Sequence, residues 1–203
     1  SYAAEKFDAV MVLWYPGSQG GKAVAKILFG EKSPSGKLPV TFYESLEELP
    51  EFTDYSMKGR TYRYMEGKAQ FPFGYGLTYS NVKVENAEVR QCGQQITVEV
   101  EVYNEGKADT EEVVQVYVKN LDSKNAIPNP ALGGFQRIFV KAGERRKVMV
   151  PVWEKAFTVV DENGKRVEDG RKYEIFAGCS QPDERSIELT GTAPVKIIWE
   201  KED

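Results

Sequence analysis

Beyond residue 80 the chain alternates apolar and polar residues with a period of two. Ile96, Val98, Val100 and Val102 interleave with Thr97, Glu99, Glu101 and Tyr103, and the rhythm returns at Val114, Val116, Val118 and at Val148, Val150, Val152. Side chains of a β-strand point alternately to its two faces, so each segment predicts a strand with one face buried. Further strands are expected at 82–90, 135–140, 172–179, 185–190 and 195–199. Turn-forming runs separate them, among them Asn104-Glu105-Gly106, Ala142-Gly143-Glu144 and Glu162-Asn163-Gly164. About seven or eight short strands punctuated in this way predict an antiparallel β-sandwich of immunoglobulin-like or fibronectin type III-like form. In such sandwiches a tyrosine early in a late strand reaches back across the strand end, and Tyr173 in the run DGRKYEIFAG is placed to do so.

The first 80 residues follow other periods. Residues 7–14, FDAVMVLW, are almost continuously apolar and end at Pro16 and Gly17, the pattern of a strand buried on both faces of a parallel sheet. After the turn PGSQGG, Val24, Ile27 and Leu28 fall on one helical face with Lys22 and Lys26 turned away, and Gly30 is a C-terminal stop. This predicts a helix over 22–29. A strand, a tight turn and a helix are half of a βαβ unit, and no second β/α pair follows, so the sheet this strand should enter is not encoded here. The chain reads as one that begins inside a fold. A strand as apolar as Ala9 to Leu13, with both edges open, is expected to be rearranged, disordered or dimerised, by strand exchange between copies for example. From Ser33 to about Ser80 neither period holds. Phe42, Tyr43, Tyr62, Tyr64, Phe71, Phe73, Tyr75 and Tyr79 make this stretch an extended connector that must pack against something larger. The expected architecture is therefore mainly β: a sandwich at 81–203, preceded at 1–80 by a partial α/β strand-helix segment and the connector.

Composition narrows the chemistry. With 41% hydrophobic and 29% charged residues the 203-residue chain belongs among globular proteins. It contains no histidine, which removes Ser-His-Asp and Cys-His nucleophile pairs and every histidine-based metal site. Two cysteines are too few for an all-thiolate zinc site, so neither a metal nor a cofactor is expected. A net charge of −4 argues against nucleic acid as a partner. No apolar run approaches the roughly 18 residues of a membrane span, and SYAAEKFDAV lacks the pattern of a signal peptide, so no membrane partner is expected. Cys92 and Cys179 do not form a disulfide framework, which favours a reducing compartment such as the cytoplasm while leaving a single bridge open.

Few motifs carry chemistry. The turn Pro16-Gly17-Ser18-Gln19-Gly20-Gly21 precedes a helix but matches neither phosphate-binding fingerprint, so its glycines are expected to serve a tight turn and close packing. Adjacent acidic residues such as Glu47-Glu48 and Glu111-Glu112 read as solvated faces, because acid/base work needs burial or a charged partner. Arg60, Tyr62, Arg63 and Tyr64 mix cations with rings that either stack on sugar faces or pin the connector, and packing is the plainer reading. Arg60, Tyr62 and Tyr64 are the candidate rim of a sugar pocket. Trp14, at the end of the buried run, is placed to reach a pocket at the strand's edge. Trp153 and Trp199 are expected in the core or at the seam of the sandwich.

Taken in order, WYPGSQGGKAVAKILFGEKSPSGKLPVTF, GRTYRY, FPFGYGLTYS, EEVVQVYV, NPALGGFQRI and AGERRKV closely resemble the C-terminal part of family 3 glycoside hydrolases, the β-glucosidase family, including its fibronectin type III-like domain. The resemblance covers essentially the whole chain. It implies a parent with a barrel carrying an aspartate nucleophile and an α/β sandwich supplying a glutamate acid/base, and neither catalytic segment matches anything here. Retaining hydrolysis of a terminal β-glycosidic bond requires two carboxyl groups about 5–5.5 Å apart. The chain is expected to provide no catalytic residue, to be inactive alone, and to have the missing barrel and α/β domains as partners, with a β-glucoside or oligosaccharide as the parent's substrate. The competing expectation is a stand-alone carbohydrate- or protein-binding β-sandwich module.

Overall fold

The period-two segments become strands because each buries one face against the opposite sheet. The computed structural model describes residues 2–201, so Ser1, Glu202 and Asp203 at the outer ends of the two expected domains lie outside the described residues. In chain order the strands are β1 (Val82–Cys92), β2 (Gln95–Asn104), β3 (Thr110–Asn120), β4 (Ala131–Val140), β5 (Arg145–Val152), β6 (Val159–Val160), β7 (Arg166–Val167), β8 (Lys172–Gly178) and β9 (Val195–Glu200). One antiparallel sheet has the order β1-β2-β5 and the other β4-β3-β8-β9, while β6 and β7 form a short separate ribbon.

Register places the valines of the first sheet in facing rows. Ile96, Val98 and Val100 of β2 lie opposite Val152, Val150 and Val148 of β5. Across β1 the alternation changes parity, from Val82 and Val84 to Ala87 and Val89, because the register shifts between Val84 and Asn86. Glu85 is the extra residue, and such a bulge leaves it outside the pairing; its carboxylate takes Arg145 Nε at 2.9 Å. Val114, Val116 and Val118 of β3 and Ile175 and Ala177 of β8 complete the interior from the other sheet. A fully buried valine contributes roughly 1.5–3 kcal/mol, so these rows drive the packing of the two sheets.

The tyrosine expectation holds. The Tyr173 hydroxyl donates toward Gly170 O at 2.9 Å and Phe157 O at 3.0 Å, and its ring meets Phe157 edge-on. Trp199 lies opposite Tyr173 and packs on Phe157 at the seam. Trp153 is instead exposed at the surface, edge-on to Phe135.

Two expected strands are absent. Residues 185–190 are helical, within α4 (Glu184–Thr190), where the Asp183 carboxylate accepts the Ser186 N–H at the start and Gly191 takes the left-handed conformation at the end. Capping at both ends outweighs a weak alternation of Ile187 and Leu189. Residues 7–14 have no strand pairing among the described residues, and Val10, for example, is 51% exposed. A parallel strand exists through hydrogen bonds to its neighbours, and no described segment offers them. The helix that follows does form as α2 (Gly20–Leu28), after a short α1 (Tyr2–Lys6), with Leu28 left exposed.

The connector doubles back on itself and lies over the outer face of the sheet containing β3. Leu38 N bonds Tyr75 O, Gly74 N bonds Leu38 O, and Phe42 N bonds Phe71 O. A side chain on Gly76 would sit 2.1 Å from Gly36 O, so the two arms approach this closely because the position is glycine. The connector also holds one short helix, α3 (Thr61–Tyr64), which no helical period announces.

Candidate functional site

The predicted rim residues divide between two tasks. Tyr62, in α3, is 7% exposed: its ring stacks on Phe73 at 4.2 Å and meets Tyr117 of β3 edge-on. Its hydroxyl accepts the Leu132 N–H at 3.0 Å, and Asn129 Nδ2 donates to the Tyr62 and Met65 carbonyls at 2.9 and 2.8 Å. Tyr62 therefore pins the connector to the start of β4. Arg60 turns the other way and gathers its own loop, donating to Ser56 O and Glu51 O at 3.0 and 3.2 Å and to Asp54 O. Tyr64 is half-buried at the end of α3, and the Arg63 guanidinium lies 5.7 Å from the Tyr62 ring centre.

The glycine turn closes on itself, with Gly20 N bonded to Gly17 O at 2.8 Å. A side chain on Gly20 would meet Pro16 Cβ at 2.5 Å, so close turning explains that glycine. Trp14 is 52% exposed, and its ring centre lies 6.5 Å from that of Phe42.

The seam between connector and sandwich holds its own polar network. Lys37 Nζ lies 2.7 Å from Glu112 Oε1 and donates to Gly76 O at 2.7 Å, with the two side chains 10% and 5% exposed. Burial pushes the Glu112 carboxyl above its ordinary range, opposed by the Lys37 charge and by the Val113 N–H at 2.6 Å. Next along the seam, Gln115 Nε2 donates to Gly74 O and Cys179 O at 3.0 Å, while its Oε1 accepts the Tyr117 hydroxyl at 2.7 Å. Burial raises the Cys179 thiol strongly, and Cys179 and the exposed Cys92 are both free, so they are not bridged.

At the far end of the seam lies a cleft of about 600 Å³. Its walls come from the connector (Thr41, Tyr62, residues 65–69 and Pro72), the Asn129-Pro130 turn, and residues 181–185 before α4, so Tyr62 is the one expected rim residue that lines it. Lys68 and Arg185 both reach Glu188, and Arg185 also donates to Gln70 O. Burial raises the Asp183 carboxyl, which is held by Ser186 N and Oγ at 2.7 and 3.1 Å. Thr41 Oγ1 and Gln181 Oε1 are buried with no hydrogen-bond partner among the described residues. The sequence reading missed both. Nothing local marks either one, because the cleft joins positions about 140 residues apart in the chain.

Glu112 and Asp183 are the carboxyl groups that burial shifts upward among the described residues. Each is held by its own partner, so neither is placed for proton transfer to a bound molecule. The arrangement can brace two layers and can hold a small polar molecule.

Comparison with known proteins places this geometry in a larger frame. The family described as the glycosyl hydrolase family 3 C-terminal domain matches residues 1–79, and a fibronectin type III-like domain matches residues 112–181. A xylan 1,4-beta-xylosidase of Xylanibacter ruminicola is 42% identical over 192 residues, 93% of this chain and 22% of its own length. A periplasmic beta-glucosidase of Salmonella typhimurium is 32% identical, covering 86% of this chain and 25% of its own. The crystal structure of a beta-glucosidase from Kluyveromyces marxianus superposes with a TM-score of 0.78 at 28% identity, over 94% of this chain and 24% of that one. The chain thus spans about a quarter of the length of these relatives.

Proposed function

This chain belongs to glycoside hydrolase family 3 as the C-terminal part of such an enzyme, and from that premise we propose that it braces a retaining β-glycosidase and supplies none of its catalytic carboxylates. Residues 1–80 would be the closing piece of the α/β domain with the connector, and residues 81–203 the sandwich that holds it. The substrates of the whole enzyme would be terminal β-D-glucosides or β-D-xylosides, since relatives named for both bonds match most of this chain. The observation that carries the reading is the apolar run 7–14: Phe7, Val10, Leu13 and Trp14 stand in water here, where a neighbouring strand layer would cover them. The partners are then the barrel and the rest of the α/β domain. In the isolated chain a second copy would occupy the same surface.

The Xylanibacter ruminicola xylosidase offers a direct test. Removing its own C-terminal quarter should abolish hydrolysis of a chromogenic β-xyloside, and replacing that quarter with this chain should restore it. The chain alone should give no turnover above blank on β-xyloside or β-glucoside. Turnover by the purified chain would place the chemistry within it, and a correctly folded but inactive chimera would deny it the bracing role.

A further inference from the structure

We propose that residues 44–58 of the connector are a preorganised docking arm whose partner is a basic surface of the parent enzyme's catalytic barrel, with Phe52 and Tyr55 as the anchors buried there. The proposal rests on the bracing role. Leu46, Phe52 and Tyr55 are 86%, 92% and 88% exposed within one short loop, an apolar grouping of the kind that marks an interaction site. Large aromatic side chains are the usual anchors of protein interfaces. The loop is nevertheless held in one shape. Arg60 donates to the carbonyls of Glu51, Asp54 and Ser56, and the Asp54 carboxylate accepts the Ser56 N–H at 2.8 Å. The Tyr43 hydroxyl ties the two ends together, donating to Gly59 O at 3.3 Å and accepting the Thr61 N–H at 3.1 Å. Thr61 closes the loop at a φ of +56°, a left-handed conformation that strains a β-branched residue. A loop fixed in advance loses less freedom when it binds.

Charge selects the kind of partner. The carboxylates of Glu44, Glu47, Glu48 and Glu51 are exposed and have no ion-pair or hydrogen-bond partner among the described residues. A second copy matches them poorly, because the chain has a net charge of −4 and cations along its outer sheet are already engaged, Lys83 with Glu105, Arg145 with Glu85 and Lys147 with Glu99. A neutral sugar brings no charge to balance them. A basic protein surface does, and opposite charges across an interface also fix its register. Position selects the barrel. The ring of Phe42, two residues before the arm, lies 6.5 Å from that of Trp14 at the carboxyl end of the apolar run, the edge where α/β sheets place their ligands. The strand layer of the α/β domain would take the run itself, so the domain left to meet the arm at that edge is the barrel.

Hydroxyl-radical labelling read by mass spectrometry, applied to the full-length parent and to the isolated chain, decides the matter. Phe52 and Tyr55 should be modified about 5-fold more slowly in the parent than in the chain. A carbodiimide should join Glu47, Glu48 or Glu51 of the parent to lysines of its barrel. Glu47→Lys, Glu48→Lys and Glu51→Lys combined should return both rings to the labelling rate of the isolated chain, while the chain's own unfolding midpoint stays put because these side chains are exposed. Equal labelling in parent and chain, cross-links to other domains alone, or protection that survives the charge reversal would overturn the assignment. Turnover is no part of this readout, so an active chimera with an unprotected arm refutes the arm alone, whereas an inactive chimera refutes the bracing role.

Discussion

Lys37 and Glu112 tie the connector to the sandwich through two charges that are nearly out of water. Such a pair adds little net stability, but removing one member strands the other, so Lys37→Met should cost about 3–5 kcal/mol near neutral pH. The folded chain holds the Glu112 carboxyl above its ordinary value of 4.5. Between the two values the folded state binds more protons than the unfolded state, so this group's contribution is complete below the ordinary value and lost as pH rises through the raised one. In Lys37→Met the carboxyl moves further up and the loss steepens. Denaturant unfolding at about pH 5 and about pH 8 should therefore show a larger deficit for the variant at the higher pH. Tyr173 is a second residue-scale test: Tyr173→Phe leaves the Phe157 and Gly170 carbonyls without their donor and should lower stability by about 1–3 kcal/mol, read as a lower urea midpoint with unchanged slope.

At the scale of elements, what is legible in the sequence is what local chemistry decides. The valine rows of β2, β3 and β5 are read from alternation because each strand needs one buried face, whereas the bulge within β1 emerges only from the pairing register. Residues 185–190 mislead the same reading, since Ile187 and Leu189 alternate while Asp183 and Gly191 close the ends of a helix. Asp183→Ala should remove that start signal at a cost of about 1 kcal/mol and loosen α4, measurable as faster amide exchange at Ser186 and Ile187. The run 7–14 misleads for another reason: its apolar composition predicts a strand, and no described segment supplies the hydrogen-bonding neighbours a strand needs. The cleft is legible only in Tyr62, because most of its other walls come from turns whose meeting depends on the connector's path. That path rests on Gly76, where a methyl group would collide with Gly36 O; Gly76→Ala should part the two arms and speed proteolysis between residues 46 and 58, while leaving the sandwich intact.

For the whole molecule, one end is a well-filled sandwich and the other an uncovered apolar belt, formed by residues 7–15 with Leu28 and Phe29. Association should therefore rise with concentration in light scattering, and charged residues at Val10 and Leu13 should suppress it without changing the unfolding midpoint of the sandwich. The two sulfurs report on the state of the same molecule from opposite sides of its surface. Cys92 lies in the open at the β1–β2 hairpin, whereas Cys179 is only partly exposed and burial holds its thiol well above the ordinary range. A maleimide dye at neutral pH should accordingly attach once per native molecule and twice after denaturation, so labelling stoichiometry gives the folded fraction of a preparation directly and leaves Cys92 as a ready address for a fluorophore.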